Sequence, residues 1–474
     1  MFYSKSIFLD QFTPVLVYNT IKKIFPNEIS FLFESSINTS YDGNYSFIFI
    51  GVRERIWHKN SKSFYQDESN NTIEIDSNPF VFMKEYYAKL DQNLYKQKAK
   101  EIGIGFIDGF IGNIGYDMVK EFEPKLKKSM QNLLDEIDIA DFDLIRPKII
   151  LAYSHKSSKL IVVTSLKEHQ TSLDLIEETL LKGSFEYLPL QKATILDEGK
   201  FAFTKEQFFE MVAKSKEMIR SGDVFQILMA NRFTQRAKVD HLSFYRTLRS
   251  KNPSPYLFLL QYEGFSIAGS SPEVMVRLNE GNILLRPIAG TRKRGDTLSK
   301  DLEMEHELIN DPKERSEHIM LIDLGRNDVG RVAKAGSVKV TNLMRIERYS
   351  HVMHIVSDVE GILDEEKYDM FDLFAATFTA GTMTGAPKIR AMELIAEFEG
   401  VKRGFYSGSI AYFGFDGNMD SAITIRTTLL KDDVVYFQAG AGVVADSKPE
   451  LEYLEVSNKL AANIATLKEL ISLK

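Results

Sequence analysis

SGSIAYFGFDGNMDSAITIRTTLLKDDVVYFQA, residues 407–439, decides the fold class. Three apolar, β-branched runs at 407–413, 422–430 and 434–439 follow one another with no helical segment between them. Such runs, broken by Gly, Asp and Asn, read as strands. Working outward, 223–233, 282–285 and 336–340 read the same way, as do 46–52, 148–153 and 159–164 nearer the amino terminus. Apolar residues at helical spacing predict helices over 205–221, 300–310, 313–324, 370–378, 388–398 and 449–473. Runs of strands without regular strand-helix alternation predict an α+β fold with largely antiparallel sheets rather than a doubly wound one.

The 474 residues are 44% apolar and 26% charged, an ordinary globular balance. A net charge of −7 argues against nucleic acid as a partner. The densest basic stretch, Arg292-Lys293-Arg294, reads either as a solvated turn or as a neighbour of an anionic substrate. With no cysteine there is no disulfide, no thiolate metal site and no thiol to hydrolyse glutamine. Residues 1–12 lack the apolar core of a signal peptide, and no apolar run approaches the ~18 residues of a membrane span. A cytoplasmic chain with no membrane partner is expected. The glycosylation patterns at Asn38 and Asn44 are then chance matches. Residues 1–195 are rich in Lys, Asn, Ile and Phe, whereas the chain from 203 onward is denser in Gly, Arg, Glu and Thr. The stretch 187–199 reads as the connection between them.

Glu314 with Glu317, and Glu452 with Glu455, lie three apart on two predicted helices, so each pair shares a helical face. They are either two solvated helix surfaces or, if the faces meet, an oxygen-ligand cluster suited to Mg²⁺. His306-Glu307 begins like a zinc-protease helix, but the second histidine is missing. His351 and His354 share a predicted helical or turn face, each a structural histidine or a catalyst. The glycine loops at 380–382, 384–387 and 439–442 are tight turns or backbone cradles for an anion, without nucleotide-loop spacing. Arg426, inside an apolar run, needs either a structural ion pair or a carboxylate ligand.

These pieces, in this order, resemble the chorismate-utilising enzymes, most closely the large subunit of anthranilate synthases. The resemblance is carried by Gly222-Asp223-Val224-Phe225-Gln226, Gly269-Ser270-Ser271-Pro272-Glu273 and Pro287-Ile288-Ala289-Gly290-Thr291-Arg292. It continues through Ser316-Glu317-His318, 323–328, 351–361, 380–392, 415–420 and 440–459. It is dense over 203–462 and thinner at 33–35, 43–47 and 112–123. It implies a sandwich-like core of large antiparallel sheets with helices outside and the active site in the cleft between. Residues 1–195 would form a regulatory and structural region, 203–462 the catalytic region, and 463–474 the end of the last helix.

The resemblance also implies roles. Glu317 and Glu455 would contact Mg²⁺, with Glu314 and Glu452 supporting through water. Gly440, Ala441, Gly442 and Lys459 would hold the ring carboxylate of chorismate, and Tyr406 and Arg426 the enolpyruvyl carboxylate. Thr291 and Thr382 would line the ring site; Glu273 would protonate the departing 4-hydroxyl, and His354 would serve the elimination of pyruvate. Water-adding relatives carry a lysine base where this chain has Gln226, and an amide cannot act as that base. Ala289 stands where the aminodeoxychorismate branch commonly has lysine. The expected activity is therefore conversion of chorismate and ammonia to anthranilate and pyruvate. The alternatives are aminodeoxychorismate synthesis and a non-catalytic sensor of an aromatic acid. A separate glutamine amidotransferase would supply ammonia. Tryptophan would inhibit by binding near Glu34, Ser35, Pro255, Tyr256 and Leu257.

Overall fold

Two long strands, Tyr45–Lys59 and Phe142–Ser154, run antiparallel along most of their length, from Tyr45 opposite Ser154 to His58 opposite Phe142. Each is long enough to serve two sheets. In this computed structural model, which describes residues 1–35, 45–183, 187–349 and 352–473, one sheet leaves Tyr45–Lys59 through Ser30–Glu34, Tyr256–Gln261, Phe265–Ser271, Thr427–Lys431 and Val434–Val443 to Gln226–Lys238. The other leaves Phe142–Ser154 through Gly109–Ile114, Ser409–Gly414, Met419–Ile423, Val274–Asn279 and Asn282–Leu285 to Val352–Ile362, which also carries Ile288–Lys293 and Lys339–Arg348. Among the described residues every pairing between these strands is antiparallel, and helices lie outside. The predicted α+β architecture is the one found. Early strands pair directly with late ones, so the sheets do not break at the 187–199 connection. No described helix is long and apolar enough to cross a membrane.

The chain passes between the two sheets at two neighbouring places. Phe265–Ser271 belongs to the first sheet and Val274–Asn279 to the second, with Pro272 and Glu273 at the crossing. Met419–Ile423 belongs to the second and Thr427–Lys431 to the first, with Thr424 to Arg426 at the crossing. The two crossings are tied together: Ile423 N donates to Glu273 O at 3.0 Å, and Ser270 N to Arg426 O at 3.2 Å. The single strand expected over 422–430 is therefore two. Arg426 adopts φ +52°, a left-handed conformation that ends a strand and turns its side chain out of the alternation.

Other boundaries moved for local reasons. The strand expected at 336–340 is Lys339–Arg348: Gly336, at φ +76°, belongs to the preceding turn, and Arg345 and Glu347 masked the alternation. The helix expected at 313–324 is Pro312–Gly330, capped by Asp311, whose side chain accepts from the backbone of Lys313 and Glu314. That helix packs on Ile288–Lys293 and Val352–Ile362, and Pro449–Ser472 packs on Val434–Val443. Phe80, Phe371, Phe374 and Phe413 pack ring against ring in a core shared by both halves of the chain. Each such buried ring contributes about 2–3 kcal/mol of transfer free energy.

Candidate active site

The first crossing buries Glu273, which is 6% exposed. Burial disfavours its charged form and pushes its carboxyl up to about 8, against the smaller opposing effects of the Thr382 hydroxyl and the Lys459 ammonium. Glu273 is therefore mostly protonated at neutral pH. Thr382 Oγ1 donates to Glu273 Oε1 at 3.0 Å from the turn Gly381–Met383. A side chain at position 381 would meet Leu324 at 2.1 Å, so glycine lets this turn approach helix Pro312–Gly330. The turn is anchored by Arg403, 1% exposed, which donates to Met383 O at 2.8 Å and Leu228 O at 2.9 Å and pairs with Glu399 at 2.6 Å. Sequence reasoning missed Arg403 and Glu399. They read as an ordinary i,i+4 helix-end pair, and only tertiary packing buries them.

His354 lies on strand Val352–Ile362, which corrects the expected helical or turn face; His351 lies outside the described residues. Opposite it the neighbouring strand bulges: pairing jumps from Ala289 with Ile355 to Arg292 with Met353, and Gly290 turns at φ +65°. The bulge brings Gly290 O to 2.8 Å and Thr291 Oγ1 to 3.1 Å from His354 Nδ1. A carbonyl can only accept, so Nδ1 carries the proton and Nε2 keeps its lone pair. Burial lowers the imidazole pKa; the Gly290 carbonyl opposes this, and the Arg426 cation reinforces it. The neutral ring is a proton acceptor at physiological pH.

At the second crossing Arg426 donates to Lys459 O at 2.9 Å and makes no ion pair among the described residues. Burial lowers its pKa, with Tyr406 and Glu455 opposing. A cation held in a dry site without a carboxylate is a ready partner for an anionic ligand. Tyr406 is buried beside it. Lys459 Nζ donates to Gly440 O at 2.9 Å and pairs with Glu455 at 2.7 Å. Thr428–Lys431 cover only Val434–Phe437, so among the described residues the same edge of Gly440, Ala441 and Gly442 has no strand partner. A Cβ at Gly442 would come within 2.5 Å of Gln226 Nε2, so glycine makes room for that amide.

Gln226 Nε2 donates to Glu317 Oε1 at 3.0 Å, while Gln226 Oε1 is buried without a hydrogen-bond partner among the described residues. Burial raises the Glu317 carboxyl, with Glu314 and Glu455 adding to the effect. Burial raises Glu452 as well, and Glu455 again adds. The two glutamate-bearing helix faces thus meet closely enough to repel. As they stand, no three His, Cys, Asp or Glu among the described residues converge tightly enough to hold a metal. Gln226 engages Glu317, Arg292 engages Glu314 at 3.2 Å, and Lys459 engages Glu455. The donor set fits Mg²⁺, which takes one or two carboxylates and keeps several waters. A dication would also relieve the like-charge crowding. Arg292 further pairs with Glu307 and Asp311, and Arg294 with Asp301, so this basic stretch is ion-paired and not merely solvated.

The five residues expected to bind an inhibitor are also brought together. Leu257 pairs with Glu34 across adjacent strands, and Glu34, Ser35, Pro255, Tyr256 and Leu257 line a cavity of about 520 Å³ between the sheets. Glu34 accepts from Tyr245 at 2.6 Å and from Arg249 at 2.7 Å. Tyr256 donates to Asp420 at 2.9 Å and accepts from Arg277 at 2.8 Å. The cavity is not where the catalytic candidates lie. Glu273 and Thr382 face a much narrower cleft, lined also by Pro287, Leu321, Leu324 and Gly381.

Comparison with known proteins places the chain in a family. The family model described as chorismate binding enzyme matches residues 29–465. Anthranilate synthase component 1 of Aquifex aeolicus (strain VF5) is 41% identical over 475 residues, covering 96% of this chain and 92% of that protein. The crystal structure of anthranilate synthase component I from Streptococcus pneumoniae TIGR4 superposes with a TM-score of 0.76 at 33% identity, covering 90% of this chain and 94% of that one. The menaquinone-specific isochorismate synthase MenF of Escherichia coli, 17% identical, shares the fold with a TM-score of 0.72 over 98% of this chain and 95% of that one.

Proposed function

We propose, because the chain belongs to the chorismate binding enzymes, that it is a carbon-oxygen lyase converting chorismate and ammonia to anthranilate and pyruvate, the step that commits chorismate to tryptophan. The observation that carries this reading is a buried Glu273 held by the Thr382 hydroxyl, together with a His354 whose Nδ1 donates to the Gly290 carbonyl and leaves Nε2 to accept. Two groups pushed to opposite proton states suit a reaction that first gives a proton and then takes one.

In the first half, ammonia adds at C2 while Glu273 gives its proton to the 4-hydroxyl, which leaves as water. Ammonia is a nucleophile as it stands. Gln226 cannot activate a water in its place, which favours amination over hydration. In the second half His354 takes the C2 proton, the C3–O bond breaks, and the enolpyruvyl group leaves as pyruvate after gaining a proton on its methylene. Arg426 and Tyr406 hold the enolpyruvyl carboxylate. Lys459 and the uncovered backbone of Gly440, Ala441 and Gly442 hold the ring carboxylate. Thr291 and Thr382 flank the ring, and Ala289 favours this branch over aminodeoxychorismate synthesis. Bound at Glu317 and Glu455, with Glu314 and Glu452 through water, Mg²⁺ would neutralise the ring carboxylate.

Residues 1–195 would supply the regulatory half of the cavity wall, 203–462 the other half and the catalytic groups, and 463–474 the end of the last helix. Tryptophan would bind in the cavity and inhibit. A separate glutamine amidotransferase would supply ammonia, since this chain has no cysteine. The setting would be the cytoplasm. The test is incubation of the purified chain with chorismate, Mg²⁺ and an ammonium salt, following anthranilate fluorescence and pyruvate. Both products, lost on chelation and absent with glutamine alone, are expected. Chorismate consumed without pyruvate would defeat the reading.

A further inference from the structure

One extended segment separates the cavity from the catalytic groups. Pro272 and Val274 line the cavity, while Glu273 between them takes its hydrogen bond from Thr382 on the other side. Tyr349 belongs to the same cavity wall. Its ring and the His354 imidazole meet edge to face, with centroids 5.5 Å apart and planes at 65°. Its hydroxyl donates to Glu347 at 3.0 Å, and Glu347 pairs with Arg345 at 2.6 Å. Its backbone is held on both sides, the N–H donating to Val352 O at 2.8 Å and the carbonyl accepting from Arg294 at 2.7 Å. One side chain thus touches the cavity and the catalytic imidazole, with its far end tied to a carboxylate.

We propose that Tyr349 is a positioning residue that holds the imidazole of His354 against Gly290 and Thr291 and transmits to it the occupancy of the cavity by an aromatic amino acid. This rests on reading His354 as the proton acceptor and the cavity as the tryptophan site. The imidazole is faced by Gly290 O, Thr291 Oγ1 and the Tyr349 ring, with Arg426, Lys459 and Glu347 as the charges within reach. A ligand that binds better when the Tyr349 ring is displaced draws the population to that state. The imidazole then loses its packing partner, is exposed to water and can turn off the Gly290 carbonyl. Inhibition by this route needs no domain movement, because sensor and catalyst share one wall.

Two variants of the full chain, assayed with ammonium, test it. Tyr349→Phe keeps the ring and removes the tie to Glu347. With the ring easier to displace, it should bind tryptophan more tightly by calorimetry and need about tenfold less tryptophan for half-inhibition. Tyr349→Leu removes the ring. Its kcat should fall about 10- to 100-fold with little change in KM for chorismate. The acid limb of its kcat/KM profile should move to higher pH, as rehydration returns the imidazole toward its ordinary value. A Tyr349→Leu variant with unchanged kcat and an unmoved acid limb would overturn the positioning role. A Tyr349→Phe variant with unchanged tryptophan affinity and unchanged half-inhibition would overturn the transmission role. Failure of the unmutated chain to bind tryptophan would overturn the reading of the cavity and transmission with it, while the kcat and pH results still decide positioning.

Discussion

Glu34 and Glu273 are both buried carboxyls, one lining the cavity and the other at the crossing that bounds it, held in contrasting company. Glu34, in the cavity, accepts from the Tyr245 hydroxyl and from Arg249 on both of its oxygens. Glu273, across the wall, has a single side-chain donor among the described residues, the Thr382 hydroxyl, and burial drives it toward its neutral form. The contrast extends to their neighbours. Near Glu34, Tyr256 donates to Asp420 and accepts from Arg277, which also pairs with Asp420. On the catalytic side Gln226 Oε1 is unmatched, Arg426 has no carboxylate among the described residues, and the glutamates repel. A site whose charged groups are paired at rest can stand ready as a regulatory pocket. A site left unsatisfied is completed by its ligands, which is how perturbed groups come to mark catalysis.

The sharpest way to break that contrast is Glu273→Gln, which keeps shape and removes the proton. Anthranilate formation should fall about 10²- to 10⁴-fold with an unchanged melting temperature; retained turnover would mean the acid lies elsewhere. Next comes Glu317→Gln. The Mg²⁺ concentration for half-maximal rate should rise at least about tenfold, read from a metal titration of the ammonium-dependent rate. The pH profile gives a third test. Glu273 must be protonated to act, so kcat/KM should fall as pH rises through about 8. The Thr382 hydroxyl lowers that value, so Thr382→Val should move the alkaline limb to higher pH. On the satisfied side, Arg249→Ala leaves Glu34 with Tyr245 alone. It should destabilise the fold by about 1–3 kcal/mol in urea and weaken tryptophan binding, while sparing kcat at saturating chorismate. The smallest effect belongs to Leu257→Met, a volume-conserving change expected to shift tryptophan affinity by under about 1.5 kcal/mol.

Strand and helix content, and the antiparallel character of the sheets, were legible in the periodicity of runs such as 407–439, because alternation and helical spacing are local properties. Boundaries were less so. The run 422–430 reads as one strand because nothing local reveals that its two ends join different sheets. His354 reads as lying on a helical or turn face because its strand is recognisable only beside the bulge at Gly290. Arg403 and Glu399, which fix the catalytic turn, carry no signal beyond a commonplace spacing.

Residue types and their order, by themselves, determined the fold class, the family resemblance, the absence of thiol chemistry and the candidate acid, base and carboxylate pairs. Which of these share a wall was decided only by the tertiary structure. Pairing of Leu257 with Glu34 across some 220 residues of chain, and the twin crossings at Glu273 and Arg426, are non-local contacts. Proton states follow from them in turn. A carboxyl or an imidazole takes its pKa from burial and from the charges and dipoles around it, and those surroundings exist only once the chain has folded.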